Sequence, residues 1–114
     1  MRVSENFKES EFKCKCCGEV KVDSLLLEIL EDVRKHFGKP VTINSGYRCK
    51  IHNKEVGSTE LSQHRRGKAS DITVKDTDPQ LVTDYLISEH PHGLGIGRYE
   101  SFTHVDTREW RARW

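Results

Sequence analysis

The chain reads as an α+β fold, a small, mainly antiparallel sheet with two principal helices on one face. Three observations predict it. Segments 24–37 and 79–89 carry apolar residues at helical spacing, each behind a capping residue and ahead of a glycine or proline stop. Segments 40–44, 69–74 and 102–106 are short and rich in β-branched residues that alternate with polar ones. Between the second helix and the last strand, Gly93-Leu-Gly-Ile-Gly-Arg-Tyr99 is a glycine-spaced run that reads as extended. At 114 residues the chain has material for one small core, so 1–114 is expected to be a single domain.

In chain order, residues 1–21 are polar and turn-rich, with Phe7 and Phe12 as anchors onto the core. The first helix spans Ser24 to Phe37, capped by Asp23 or Ser24 and stopped by Gly38 and Pro40. Leu26, Ile29, Leu30, Val33 and Phe37 form its buried face. Pro40-Val-Thr-Ile-Asn44 is a strand, and Ser45-Gly46 turns the chain into Tyr47, Arg48 and Cys49. Residues 52–58 form a loop in which His52 and Asn53 are candidate binding groups. Ala69 to Val74 is the next strand; Ile72 and Val74 share its core face, which leaves Asp71 on the open face. Asp78 caps the second helix and Pro79 begins it, with Leu81, Val82, Tyr85 and Leu86 as the expected buried stripe. In the last strand Phe102, His104 and Asp106 share one face and Val105 takes the core side.

Composition excludes several function classes. Hydrophobic residues make 34% of the chain and charged residues 32%, a polar but foldable balance. Lysine and arginine number 19 against 18 acids, which gives no case for nucleic-acid binding. Arg108, Arg111 and Arg113 make the end locally basic; a solvated or disordered tail is preferred, with Trp110 and Trp114 pinning it to the domain as the alternative. The first residues carry no apolar run, so the expectation is no signal peptide, no membrane segment and synthesis in the cytoplasm. The chain is taken as a monomer.

Two sets of residues have metal-ligand chemistry. His64 and Asp71 flank Gly67, whose turn can fold them towards one point, and His104 faces the same side of the sheet as Asp71. Two histidines and one carboxylate make a catalytic zinc set with one position left open, which turns the free sheet face into a zinc cleft. Against that reading, His64 caps a turn and Asp71 pairs with Arg65 or Lys68. The second set is Cys14, Cys17 and Cys49, joined by His52 if the Cys49-x-x-His52 spacing is used, as a possible structural metal site. Ordinary reduced thiols, or a disulfide between Cys14 and Cys49, are the alternatives. No thiol sits in a triad context that points to a nucleophile.

Ser45-Gly-Tyr-Arg48, Ser62-x-His64-x-x-Gly67-x-Ala69-x-Asp71 and His104-x-Asp106 together resemble the zinc D-alanyl-D-alanine carboxypeptidase family. That family includes phage endolysins and shares a fold with lysostaphin-type enzymes and the hedgehog signalling domain. The resemblance runs from about Phe12 to Trp114, nearly the whole chain. It implies Zn2+ held by His64, Asp71 and His104, with Arg48 facing the carboxylate of a peptidoglycan stem peptide and Ser62 beside it as a hydrogen-bonding group. A guanidinium suits a carboxylate because it binds bidentately; a salt bridge to a local acid is the alternative for Arg48, and a turn cap for Ser62.

The chain departs from the family pattern at two positions. Where the family usually has a catalytic carboxylate, three residues before the last histidine, this chain has Ser101, and Phe102 stands where many members have a histidine. The expected general base is therefore Asp106, with Glu100 second, both in parity with His104 on a regular strand. The alternative role for Asp106 is support of the ligand histidine. The resulting expectation is a zinc metallopeptidase cleaving peptidoglycan stem peptides as carboxypeptidase or endopeptidase. Two other classes stand beside it: a non-catalytic zinc-containing wall-binding or phage structural module, and an interaction module centred on the cysteines.

Overall fold

The structure is a computed structural model in which residues 3–49 and 63–114 are described. His52, Asn53 and Ser62 lie outside the described residues. The elements run in the order α1 (Ser24–Phe37), β1 (Val41–Ser45), β2 (Ala69–Val74), α2 (Pro79–Glu89), β3 (Gly95–Arg98), β4 (Thr103–Asp106) and β5 (Ala112–Arg113), with 3-10 turns at Glu9–Phe12 and Gln63–Arg66. Among the described residues, no helix is long and apolar enough to cross a membrane.

Both helices span the residues that their sequence signals mark. The Asp23 carboxylate accepts from the Leu26 N–H at 3.3 Å, and Gly38 closes α1 with φ 64°. Asp78 caps α2 through the Gln80 N–H, with Pro79 in its first turn. Among the described residues, the strands form one five-stranded mixed sheet in the order β1-β2-β4-β3-β5. The pairs β1–β2, β2–β4 and β4–β3 are antiparallel, whereas β5 runs parallel to β3.

Register decides which side chains share a face, because directly paired residues point the same way. Ile72 pairs with Ile43 and Thr103, and Val105 pairs with Ser70 and Ile96. Ile72, Val105 and Ile96 join Leu26, Ile29, Leu30 and Val33 of α1 and Val82 and Leu86 of α2 in one buried cluster. The helices also meet each other: the Tyr85 ring stacks on His36 at 3.8 Å and its hydroxyl donates to Asp32 at 2.6 Å. Both helices therefore cover the same sheet face. Phe7 and Phe12 belong to the same cluster, with ring centroids 6.0 Å apart.

Two expectations need correction. Leu81 was placed in the buried stripe of α2 but is 56% exposed, and Thr83 takes the inward position, with its hydroxyl 3.2 Å from that of Thr103. The short helix crosses the sheet over a polar threonine pair, so the apolar stripe is narrower than periodicity suggests. The basic tail is not a solvated end. Arg98 N–H donates to Trp114 O at 2.8 Å, and the Arg113 guanidinium donates to the carbonyls of His90, Gly93 and Leu94. Those carbonyls follow α2 and have no continuing helix to bond them, which gives the tail its attachment.

Truncation at the two leucines should separate these positions. Leu30→Ala is expected to cost about 2–5 kcal/mol and Leu81→Ala less than about 0.5 kcal/mol, measured by urea unfolding of each variant.

Candidate metal centre

The face away from the helices is organised by one cross-strand pair. Asp71 on β2 lies directly opposite His104 on β4, and the next residues outward are Ser45 on β1 and Gly97 on β3. His64 comes from the 3-10 turn before β2 and reaches the same point because Gly67 reverses the chain. Gly67 has φ 72°, and a Cβ there would lie 2.7 Å from the Lys21 backbone carbonyl oxygen, so only glycine fits both the turn and the contact.

The distances are short. Asp71 Oδ1 lies 2.9 Å from His104 Nδ1 and 3.3 Å from His64 Nε2, and the two imidazole centroids are 5.2 Å apart. One ligand atom from each of His64, Asp71 and His104 falls within 4.8 Å of the others. The far nitrogen of each ring is already engaged. His64 Nδ1 is 2.8 Å from the Gly46 carbonyl, and His104 Nε2 is 2.8 Å from Asp106 Oδ2.

These partners fix the tautomers. A carbonyl oxygen only accepts, so His64 donates from Nδ1 to the Gly46 carbonyl and turns Nε2 towards Asp71 Oδ1. Nε2 and Oδ1 stand 3.3 Å apart, and with Nδ1 engaged the contact takes a further proton or a metal ion between them. The donor set of two imidazoles and a carboxylate suits zinc. Each ring held by an acceptor on its far side is also the usual support of a metal-binding histidine.

Charges at the site follow the same geometry. Burial opposes ionisation of Asp71, but hydrogen bonds from His104 and His64 outweigh it and hold the carboxyl far below its usual range. Burial likewise disfavours the His104 imidazolium, yet Asp106 and Asp71, one on each ring nitrogen, raise its pKa. In the metal-free protein this raised pKa gives stability that is full below about 6.5 and is lost as pH rises through the shifted value.

Arg48 stands at the rim. Its Nη2 is 3.4 Å from Asp71 Oδ2 and its Nε donates to Ser45 Oγ at 3.2 Å. The local salt bridge weighed for Arg48 thus exists, and its acid is Asp71, one of the candidate ligands.

Asp106 is placed differently from the expected proton acceptor. It lies behind His104, on the nitrogen remote from Asp71, and its side chain is fully buried. Its Oδ1 accepts from Gly95 N, Arg108 N and Arg108 Nε, and its Oδ2 from His104 Nε2 and Arg108 Nη2. Five donors occupy the carboxylate. Burial resists its charge, but these bonds, His104 first and then Arg108, carry its pKa well below the usual range. A group so held positions His104 and is a poor base.

Glu100 is exposed in the turn before β4, which begins only at Thr103, so the strand parity used for it does not extend that far. It lines an open groove with Asp78, Gln80, Arg98 and Tyr99, none of them a candidate ligand. Phe102 stacks on Tyr99 at 4.4 Å, and Ser101 is exposed.

Three contributors escaped sequence reasoning. The Gly46 carbonyl is a backbone group and leaves no residue-type signal. Arg108 was read as part of a basic tail, although Asp106-x-Arg108 has the spacing that puts both on one strand face. Trp114 packs its ring 5.0 Å from His104 and lies beneath the Arg108 guanidinium at 5.2 Å. The glycine run had a visible signal whose meaning was only partly read. A Cβ on Gly95 would collide with the Asp106 and Arg108 side chains, and one on Gly97 with the Trp114 ring. The glycines make room for the support of His104 rather than for a substrate.

The second candidate set is also brought together. Cys14, Cys17 and Cys49 each offer a sulfur within 4.8 Å of the others, and none of the four cysteines is joined in a disulfide, so the Cys14–Cys49 bridge is not formed. Burial opposes ionisation of Cys14, but N–H groups of Cys49, Cys17 and Cys16 directed at it bring its pKa down to about 7. Cys17 moves the other way: a Glu19 N–H favours its thiolate, yet desolvation and its bonds to Cys14 and Cys49 raise its pKa.

Replacing Asp106 by Asn is expected to weaken zinc binding about 10–100-fold with the fold retained, measured by competition with a chromophoric chelator. Because zinc takes the place of the His104 Nδ1 proton, binding should release protons below the raised histidine pKa and tighten as pH rises. Calorimetry in buffers of different ionisation enthalpy reads that release directly.

No curated protein matches the chain. A family profile described as Peptidase M15 matches residues 5–106, which include His64, Asp71, His104 and Asp106. The chain therefore belongs to the M15 peptidases, a family of zinc-dependent metallopeptidases.

Proposed function

We propose that the protein is a zinc metallopeptidase that hydrolyses peptidoglycan stem peptides, as a carboxypeptidase or endopeptidase of the D-alanyl-D-alanine type. The observation that carries the reading is the convergence of His64 Nε2, Asp71 Oδ1 and His104 Nδ1, each ring set in its tautomer from behind. Zinc held there supplies Lewis-acid chemistry, acidifying water and polarising a scissile carbonyl.

The chain's own residues do the rest. Asp106 keeps a proton on His104 Nε2, so that Nδ1 presents its lone pair to the site. Arg108 and Gly95 hold that carboxylate ionised and still. Arg48, beside Asp71, orients the carboxylate or carbonyl of the peptide, and Ser62 assists it. Trp114, which donates to the Tyr99 hydroxyl at 2.8 Å, packs against the His104 ring and helps to hold it in orientation. The substrate reaches a monomeric enzyme, made in the cytoplasm and acting on the wall after release.

One observation favours a second reading. Asp106 is committed to His104, and Glu100 opens onto another groove, so neither acid stands beside the ligand atoms. A zinc-containing wall-binding module would need no base there.

A hydrolysis assay on defined muropeptides, read by mass spectrometry, separates the two. The peptidase reading expects cleavage by the zinc-loaded protein, a fall of at least about 100-fold for His64→Ala and a large loss for Arg48→Ala. Fully zinc-loaded protein that binds sacculi and cleaves no stem peptide would establish the binding module instead. Glu100→Gln tests the base: a drop of about 100-fold or more at unchanged zinc content assigns it that role, and unchanged turnover excludes it.

A further inference from the structure

The cysteine cluster is absorbed by neither the fold nor the proposed chemistry. Cys14-Lys-Cys-Cys17-Gly18 forms a tight hairpin turn: Lys13 bridges Val20, Cys14 N–H donates to Glu19 O at 2.8 Å, and Gly18 N–H returns to Cys14 O at 2.9 Å. Gly18, with φ 75°, completes the reversal. The turn brings Cys14 and Cys17 side by side and exposes Cys17, while Cys49 arrives from a remote part of the chain. Cys49 N–H donates to the Cys14 sulfur at 3.2 Å, across 35 residues of sequence.

We infer that Cys14, Cys17 and Cys49 bind a second, structural zinc ion that fastens the N-terminal hairpin to the segment carrying Gly46 and Arg48. Three sulfurs mutually within 4.8 Å match a zinc ion with Zn–S bonds of about 2.3 Å. Backbone N–H groups aimed at a sulfur stabilise it as a thiolate, the form that binds metal. Three thiolates leave one tetrahedral position; His52, three residues beyond Cys49, lies outside the described residues.

The location gives the site a consequence. Tyr47 N–H bonds Phe12 O at 3.1 Å and Arg48 N–H bonds His64 O at 3.0 Å, so the 46–49 segment is stitched to the N-terminal region on one side and to the histidine turn on the other. The same segment supplies the Gly46 carbonyl that sets the His64 tautomer and the guanidinium beside Asp71. A metal pinning Cys49 to Cys14 and Cys17 holds both in place. The inference concerns sulfur ligation alone and does not depend on the peptidase reading.

Cobalt substitution of the full chain, reduced and handled without oxygen, tests it. Wild type should take up two cobalt ions, one of them with the near-ultraviolet sulfur-to-cobalt charge-transfer band. Cys17→Ser, at an exposed position where packing is not at risk, should lose that band and one ion. His64→Ala should keep the band and lose the other ion. Cys17→Ser should also bind its remaining zinc at least severalfold more weakly than wild type, a coupling that independent thiols would not produce. A reduced wild type without the band, or a band that survives Cys17→Ser, overturns the inference. If His64→Ala keeps both ions while Cys17→Ser loses one, the histidine reading fails and the cysteine site stands.

Discussion

Everything at the candidate metal centre depends on one carboxylate placed between two imidazoles. Asp71 faces His104 across the β2–β4 ladder and meets His64 where the 3-10 turn enters the strand. Ladder register fixes the first contact to within one residue, since a slip of one would send Asp71 among the helices. The second contact depends on Gly67, the only residue type that fits its turn against the Lys21 backbone. Burying the carboxylate costs desolvation, and the nitrogens of the two rings offset it. The site is a charge problem that the sheet poses and the two imidazoles answer.

The apparatus behind His104 extends that logic outward. Asp106, Arg108 and Trp114 form successive layers: carboxylate on imidazole, guanidinium on carboxylate, and indole beneath guanidinium. Space for them comes from the two glycines of β3, and Trp114 is held because β5 joins the sheet as its edge strand. The C-terminal residues, which look like a basic surface tail, are thereby part of the support of His104. Loops and termini carry function when a rigid scaffold positions them.

Much of this was legible in the sequence, for identifiable reasons. Asp23, Gly38, Asp78 and Pro79 are local signals, and both helices begin and end where those residues say. Alternation in 69–74 and 102–106 assigned Asp71 and His104 to one face, although β4 itself begins only at Thr103. Leu81 and the tail were misread because packing over Thr103 and capping of the carbonyls after α2 are long-range effects. The role of Asp106 was ambiguous for a physical reason. Parity says which face a carboxylate occupies but not which of its neighbours' nitrogens it meets, and here it meets the nitrogen turned away from Asp71.

The central claim is that His64, Asp71 and His104 converge on one zinc ion with fixed ring orientations. Anomalous diffraction on either side of the zinc absorption edge, from crystals grown without chelator, tests it most directly. The account predicts a peak bonded to His64 Nε2, an Asp71 oxygen and His104 Nδ1 at about 2.0–2.2 Å, with His104 Nε2 still on Asp106. A zinc-replete crystal with no peak between these residues, or with zinc on His104 Nε2, would contradict it.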